Sequence, residues 1–267
     1  MLRGASADAL ATLSGKLDEA LGDADAGRIG ADLFSVASVL RAEPALRRVA
    51  TDVSVPADAK AGLLGEILSG KVDDLVLDLT STAAAQRWTA TRDLADVLEH
   101  LGVVATVRSA GNDAGRLSDE LFEFGQVVNG SPDLRDALSD PARSAEDKRG
   151  LVHGLLEGKA LAPTVALVEQ ALAGTHRTVG VALHEYQQVA AEVHDQGVAT
   201  VRVARTLSDA DRQRLEGALA RQYGRAVHLN VVVDPEVIGG IRVEIGDDVI
   251  DGTVSSRLDD ARRKLAV

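Results

Sequence analysis

The stretch "DPEVIGGIRVEIGDDVIDGTVSSRLDDARRKL", residues 234–265, decides the fold, and with it whether the chain carries a catalytic loop. Four glycines and six aspartates surround its short apolar runs. Three readings compete: a calcium loop, a phosphate loop, or the corner of a small sheet. A calcium loop begun at Asp247 needs oxygen donors at its third and fifth places, glycine at the sixth and glutamate at the twelfth. The sequence supplies Val249, Asp251, Gly252 and Leu258, so the third and twelfth places fail. A phosphate loop follows a strand and opens a helix. Here the glycines precede an alternating run, and Asp247, Asp248 and Asp251 crowd the place an anion would take. The sheet corner remains. In it Gly239-Gly240 let the backbone bend or approach closely, Gly246 and Gly252 take positive φ in turns, and Asp251 caps the last helix.

Working outward, "VATVRVA" (198–204), "VHLNVVV" (227–233) and "IRVEI" (241–245) alternate with the period of a strand. Between the first two, Ser208 and Asp211 open a helix with the stripe Leu215, Ala218, Leu219 and Tyr223, closed by Gly224. Val249-Ile250 return the chain after a turn at Gly246-Asp247-Asp248. A last helix at about 253–265 carries Val254, Leu258, Ala261 and Leu265. Residues 197–267 therefore read as a small β-α-β-β-α domain.

Upstream the period changes to that of a helix, and the chain repeats itself. Residues 33–71 align without a gap on residues 121–159, with fourteen of 39 positions identical. Pro44, Leu46, Arg47, Asp52, Lys60, Gly70 and Lys71 recur as Pro132, Leu134, Arg135, Asp140, Lys148, Gly158 and Lys159. Shared composition alone rarely keeps Pro, Gly and Lys in register, so this is a duplication. Pro44 and Pro132 open helices at their first turn. Ser144 and Asp147 have capping-box spacing, and Gly158 stands where a left-handed cap belongs. Further helices are predicted near 6–21, 72–87, 89–108, 161–175 and 177–195. The second copy has no leading helix of its own unless 89–108 serves both. The fold class is thus mainly α: two tandem helical-bundle repeats, 1–112 (the added copy) and 113–196, then a small α+β C-terminal domain.

The bulk numbers agree. With 45% apolar residues but only 2% aromatic, the chain suits thin helices packed closely. A net charge of −12 disfavours nucleic acid and anionic lipid. The lack of cysteine removes disulfides and thiolate chemistry. The N-terminus lacks the apolar core of a signal peptide, and no run is long enough to span a membrane.

Two more motifs fail on inspection. "GEILSGKV" (65–72) matches a phosphate-loop pattern, but Val72 replaces the magnesium-binding hydroxyl and the segment follows a helix. "HEYQQ" (184–188) has Gln188 where a zinc helix needs its second histidine. No catalytic residue, cofactor site or metal site is expected.

The order "LSDADRQRL" (207–215), Tyr223-Gly224, "VDPEVIGGI" (233–241), "IGDDVIDG" (245–252) and "SRLDDARR" (256–263) resembles the delta subunit family of bacterial F-type ATP synthases. The mitochondrial relative is the oligomycin-sensitivity-conferring protein. Residues 113–196 match that family more loosely. The family's usual chain is shorter by about one repeat, and its aromatic opening is reduced here to "RGASADAL" (3–10). This is similar to actinobacterial delta subunits with a duplicated helical domain. The structural signature of the C-terminal domain is Gly239, Gly240, Gly246, Asp251, Gly252, Arg257 and Leu258.

The resemblance implies a non-catalytic stator protein at the cytoplasmic face of the plasma membrane, attached to the membrane only through its complex. Its implied partners are the N-termini of alpha subunits, held by the helical domain, and b-type stalk subunits, held by the C-terminal domain. With two repeats, each copy is expected to hold one alpha helix. The candidate interface residues are Leu10, Leu13, Leu17, Leu75 and Leu79 in the first copy and Val165, Val168 and Leu172 in the second. The same stripes would serve equally as core. A generic helical-repeat adaptor explains the duplication but not the glycine order of the tail. An NTPase using Gly70-Lys71 would have to bind nucleotide.

Overall fold

The computed structural model describes residues 2–22, 24–140, 142–173 and 175–265; within the last helix the side chains of 259–261, 264 and 265 are not described. The helices of the first copy are α1 (Ala5–Ala20), α2 (Ala26–Ala42), α3 (Pro44–Thr51), α4 (Ala57–Leu68) and α5 (Asp74–Ala85). Those that follow are α6 (Asp93–Arg108), α7 (Ala114–Gly130), α8 (Pro132–Ser139), α9 (Ala145–Leu156), α10 (Ala162–Ala171) and α11 (Val179–Val193). The tail comprises β1 (Gln196–Val203), α12 (Asp209–Tyr223), β2 (Ala226–Val233), β3 (Ile241–Ile245), β4 (Asp248–Asp251) and α13 (Val254–Leu265).

The duplication is visible in the element bounds. Helices α1 to α5 begin at residues 5, 26, 44, 57 and 74, and α6 to α10 begin at 93, 114, 132, 145 and 162, each 88 later. The first four pairs also match in length, at 16, 17, 8 and 12 residues. So α6 is the leading helix of the second repeat. It also packs against α1, α2 and α5 of the first, and against α10, as α1 packs against α5. Twelve of its sixteen residues are buried, as a helix with neighbours on every side requires.

The residues that repeat in the sequence perform the same local task twice. Arg47 Nη1 donates to Arg41 O (3.2 Å) at the end of α2, and Arg135 Nη1 donates to Asn129 O (3.0 Å) at the end of α7. Each arginine satisfies a carbonyl left open by a helix terminus. Asp52 Oδ1 accepts from Ser54 N and Asp140 Oδ1 from Ala142 N, both at 2.8 Å, forming equivalent turns. Gly70 and Gly158 follow α4 and α9 with φ of 71° and 69°.

Contacts divide the chain into two compact units: residues 1–117 with 136–179, and residues 118–135 with 180–267. The first has a core of Leu13, Leu17, Ile29, Leu33, Leu40, Leu64, Val76, Leu79, Leu94, Leu98 and Leu101, all nearly inaccessible. In it α2 and α6 cross with glycines at the contact. A Cβ on Gly102 would lie 2.7 Å from the Phe34 ring, and one on Gly30 would collide with Thr106 Oγ1.

The second unit contains the sheet, ordered β2-β1-β3-β4. Strands β1 and β2 run parallel, Gln196 beside Ala226 through Val203 beside Val233, joined by the crossover α12. Strands β1–β3 and β3–β4 pair antiparallel. Ala199, Val201, Val203, Leu229, Val243 and Ile245 form the core face with Leu219 of α12. Ser208 caps α12, accepting from Asp211 N at 3.2 Å, and Gly224 ends it at φ 71°. The β-α-β-β-α order agrees with the sequence reading.

Two details of the corner are corrected. The last helix begins at Val254, so its N-cap is Thr253, whose Oγ1 accepts from Ser256 N (3.2 Å). Asp251 stands two residues earlier, too far back to cap, and instead holds Thr253 by accepting from its N (2.9 Å) and Oγ1 (2.7 Å). Gly240 and Gly246 have φ of 83° and 57°, whereas Gly252 does not adopt positive φ. What Gly252 needs is proximity: its N–H donates to Ile241 O at 2.9 Å, and a Cβ would lie 3.3 Å from that oxygen.

Candidate functional site

The candidate interface stripes divide by burial. Leu13, Leu17, Leu79 and Val168 are 0% exposed, because each points into the packed side of its helix. Leu10, Leu75 and Val165 are half-buried on the same helices, and Leu172 is half-buried at the C-cap of α10. Leu10 of α1 and Leu75 of α5 pack against one common core, and these two helices are in contact. Any groove along this seam is therefore bordered by Leu10 and Leu75, with the fully buried leucines beneath them.

The first unit also holds a buried carboxylate that no local pattern in the sequence singles out. Glu99 on α6 is 5% exposed. Its Oε2 accepts from Arg41 Nη2 of α2, and its Oε1 accepts from Gln170 Nε2 of α10 (2.7 Å) and Thr175 Oγ1 (2.9 Å). Arg41 also reaches Asp96 Oδ1 at 2.9 Å. A buried ionised group is tolerable only with such a set of partners. This one ties α2 of the first repeat to α10 of the second through the helix they share.

In the second unit a polar cluster fastens α7 to the sheet. Asp119 Oδ1 lies 3.1 Å from His228 Nε2 of β2 and 3.5 Å from Arg212 Nη2 of α12. Arg212 also donates to Leu229 O (3.2 Å) and pairs with Glu216 Oε1 (3.2 Å). Burial works to raise the Asp119 carboxyl, but His228 and then Arg212 outweigh it and hold it below the usual carboxylate range.

The tail presents the remaining feature. At the carboxyl end of β1, where Val203 pairs with Ile241, an open cleft of about 460 Å³ is lined by Val203, Arg205, Leu207, Asp211 and residues 238–241. Of the signature residues, Gly239 and Gly240 line it. Gly239 O accepts from Val254 N at 2.9 Å, and Gly240 approaches the Gly252 carbonyl too closely for a side chain. Arg257 and Leu258 are exposed on α13. Ala261 and Leu265 of the same stripe have side chains outside those described.

Among the described residues no group of three His, Cys, Asp or Glu could hold a metal ion, and no helix is long and apolar enough to cross a membrane. Gly70-Lys71 lies in the turn after α4, and His184 and Gln188 are exposed on α11.

A family profile described as ATP synthase delta (OSCP) subunit matches residues 103–265. It begins inside α6 and covers the later repeat and the sheet. A protein of a Nocardioides species named ATP synthase subunit delta is 58% identical over 270 residues, spanning 99% of this chain and 97% of its own. One of the same name from Kineococcus radiotolerans is 46% identical over 248 residues, spanning 91% and 89%. A chain in a structure of the Toxoplasma gondii mitochondrial ATP synthase hexamer covers 58% of this chain and 97% of that chain, at 16% identity and a TM-score of 0.33.

Proposed function

The chain belongs to the ATP synthase delta (OSCP) subunit family, and from that premise we propose that it is a non-catalytic peripheral-stalk subunit. It links the N-termini of alpha subunits on the catalytic head to the b-type stalk subunits. In that place it resists rotor torque and so supports the coupling of proton flow to ATP synthesis. It sits at the cytoplasmic face of the plasma membrane, held there by the complex. The observation that carries the reading is the 58% identity running through both repeats and the tail, rather than through the tail alone.

Each helical repeat, 1–112 and 113–196, holds one amphipathic alpha helix, and the domain at 197–267 takes the stalk. In the first repeat the helix lies over the α1/α5 seam at Leu10 and Leu75. In the second it lies along α10 at Val165 and Leu172. Support comes from the partial burial of these four residues, and from the packing of Leu10 and Leu75 against a closed core, the pattern expected of an amphipathic groove.

The test is reconstitution. Full-length protein is titrated with an alpha N-terminal peptide, and the complex is assembled with and without the chain. Two peptide equivalents bound, and loss of proton-coupled ATP synthesis without the chain, are expected. A fully coupled enzyme lacking it would overturn the stator reading. One equivalent would leave one repeat as a spacer.

A further inference from the structure

His228 is a titratable ring enclosed between two elements, and the stator reading gives it no task. Its strand, β2, is an edge of the sheet, with Val198 of β1 as its neighbour there. Helix α7 from residue 118 onward belongs to the same compact unit as the sheet, and Asp119 is the second residue of that stretch. The His228 side chain is 12% exposed, whereas its Nε2 is fully buried. The ring therefore has a closed side, 3.1 Å from Asp119 Oδ1, and remains open to solvent protons elsewhere.

The closed side fixes the tautomer. A bare Nε2 would set its lone pair against a carboxylate oxygen, so Nε2 carries the hydrogen of the neutral ring and Nδ1 receives the second proton. The atoms are close, yet the contact is not aligned as a hydrogen bond. A neutral ring gains little from it, because hydrogen bonds are directional. A charged ring gains a Coulomb attraction that needs no alignment. The strength of the link between α7 and β2 thus follows the charge on the ring.

The surrounding groups leave room for this change. From α12, Arg212 Nη2 stands 3.5 Å from the same Asp119 oxygen, but that side chain is shared with Glu216 Oε1 and the Leu229 carbonyl. Asp119 is only partly neutralised by it. Beside the ring, β1 offers Val198, and α11 reaches the Asp119 turn through Gln187, bonded to Ser118 O; both are uncharged.

We propose that His228 is a proton-operated latch: with its ring charged it draws β2 onto α7 through Asp119, and with its ring neutral it lets them loosen. Histidine is the side chain that ordinarily changes charge between about pH 5 and 8. The added hold is present at the acid end of that range and is lost as pH rises. It is lost again in strong acid, as Asp119 takes up a proton; burial raises that carboxyl, but His228 and Arg212 hold it below the usual range. The latch lies within one compact unit and is independent of the stator reading.

The experiment follows amide hydrogen exchange in the full-length protein at about pH 8 and about pH 6, corrected for the intrinsic pH dependence of exchange. Protection in β2 and in α7 around Asp119 should rise about two- to fivefold at the lower pH. His228→Gln and Asp119→Asn put neutral side chains of similar size in place of the pair, and in each the rise should vanish. Nitrogen NMR of the unaltered protein needs no variant: the neutral His228 ring should carry its hydrogen on Nε2. An undiminished rise in His228→Gln would assign the response to another group and overturn the latch. A neutral ring with its hydrogen on Nδ1, or protection that is equal at the two pH values, would overturn it as well.

Discussion

Gly30 and Gly102 face each other across the crossing of α2 and α6: a Cβ on Gly30 would lie 3.0 Å from Gly102 O, and one on Gly102 would lie 3.2 Å from Gly30 O. The helix backbones approach closely because both side chains are missing. In an open helix interior, glycine to alanine stabilises by about 0.5–1 kcal/mol. Here the sign reverses. Gly30→Ala and Gly102→Ala should each destabilise by about 1–3 kcal/mol through overpacking. Gly62→Ala on the exposed side of α4, where nothing lies within 4 Å of the new methyl, should stabilise. Denaturant melts of the three variants check the contrast.

Glu99 offers a second contrast, with its neighbour Asp96. Glu99→Ala strands Arg41, Gln170 and Thr175 around a buried gap and should cost about 3 kcal/mol. Asp96→Ala removes a half-exposed partner of the same arginine and should cost less than about 1 kcal/mol. Similar midpoints for both variants would refute the ranking.

At the sheet corner the glycines should rank by environment. Gly240→Ala combines positive φ with a collision against the Gly252 carbonyl, and should cost well over about 2 kcal/mol. Gly246→Ala adds a methyl in open space at φ 57° and should cost about 1 kcal/mol, the left-handed penalty alone. Gly239→Ala meets only the movable end of Val254 and should cost least. Thermal midpoints give the order.

Asp119 predicts a pH dependence. Its folded pKa is depressed, so its contribution is present above the unfolded value of about 3.9 and is lost as pH falls through the folded value. Asp119→Asn should lower stability at neutral pH by up to about 1 kcal/mol, since the carboxylate is half-exposed. The gap between variant and parent should close as the pH is taken well below 4. A gap that stays constant down to acid unfolding would assign the effect to shape rather than charge.

The shared helix predicts where the chain tolerates truncation. A fragment of residues 93–267 keeps α6 as its leading helix and should melt cooperatively. A fragment of residues 114–267 loses it, along with the apolar face it provides, and should show a broad, non-cooperative transition.

Much of this fold was legible. The copies could be aligned because Pro44, Arg47, Asp52 and Gly70 each perform a backbone task within six residues of their position, and such tasks leave residues at fixed spacing. The strands showed because Ala199, Val201 and Val203 alternate with outward residues. The dual role of α6 was less visible: a helix buried on all sides has no stripe, only Leu94, Val97, Leu98, Leu101 and Ala105 spread around it. Glu99 and Asp119 were hidden for another reason. Among 41 acidic residues, nothing local separates a solvated carboxylate from one whose partner is 71 or 109 positions away. The cleft at the end of β1 needed the topology, since residues 203–207 and 238–241 meet only once the strand order is known.

Because α6 closes one repeat while opening the next, a copy costs five helices rather than six. The joint between the copies is itself a continuous, largely buried helix. Flexing α6 would mean unpacking the core to which its Leu94, Leu98 and Leu101 belong. The length of the insertion is quantised for the same reason: only steps of a full period return the chain to a helix that fits both neighbours.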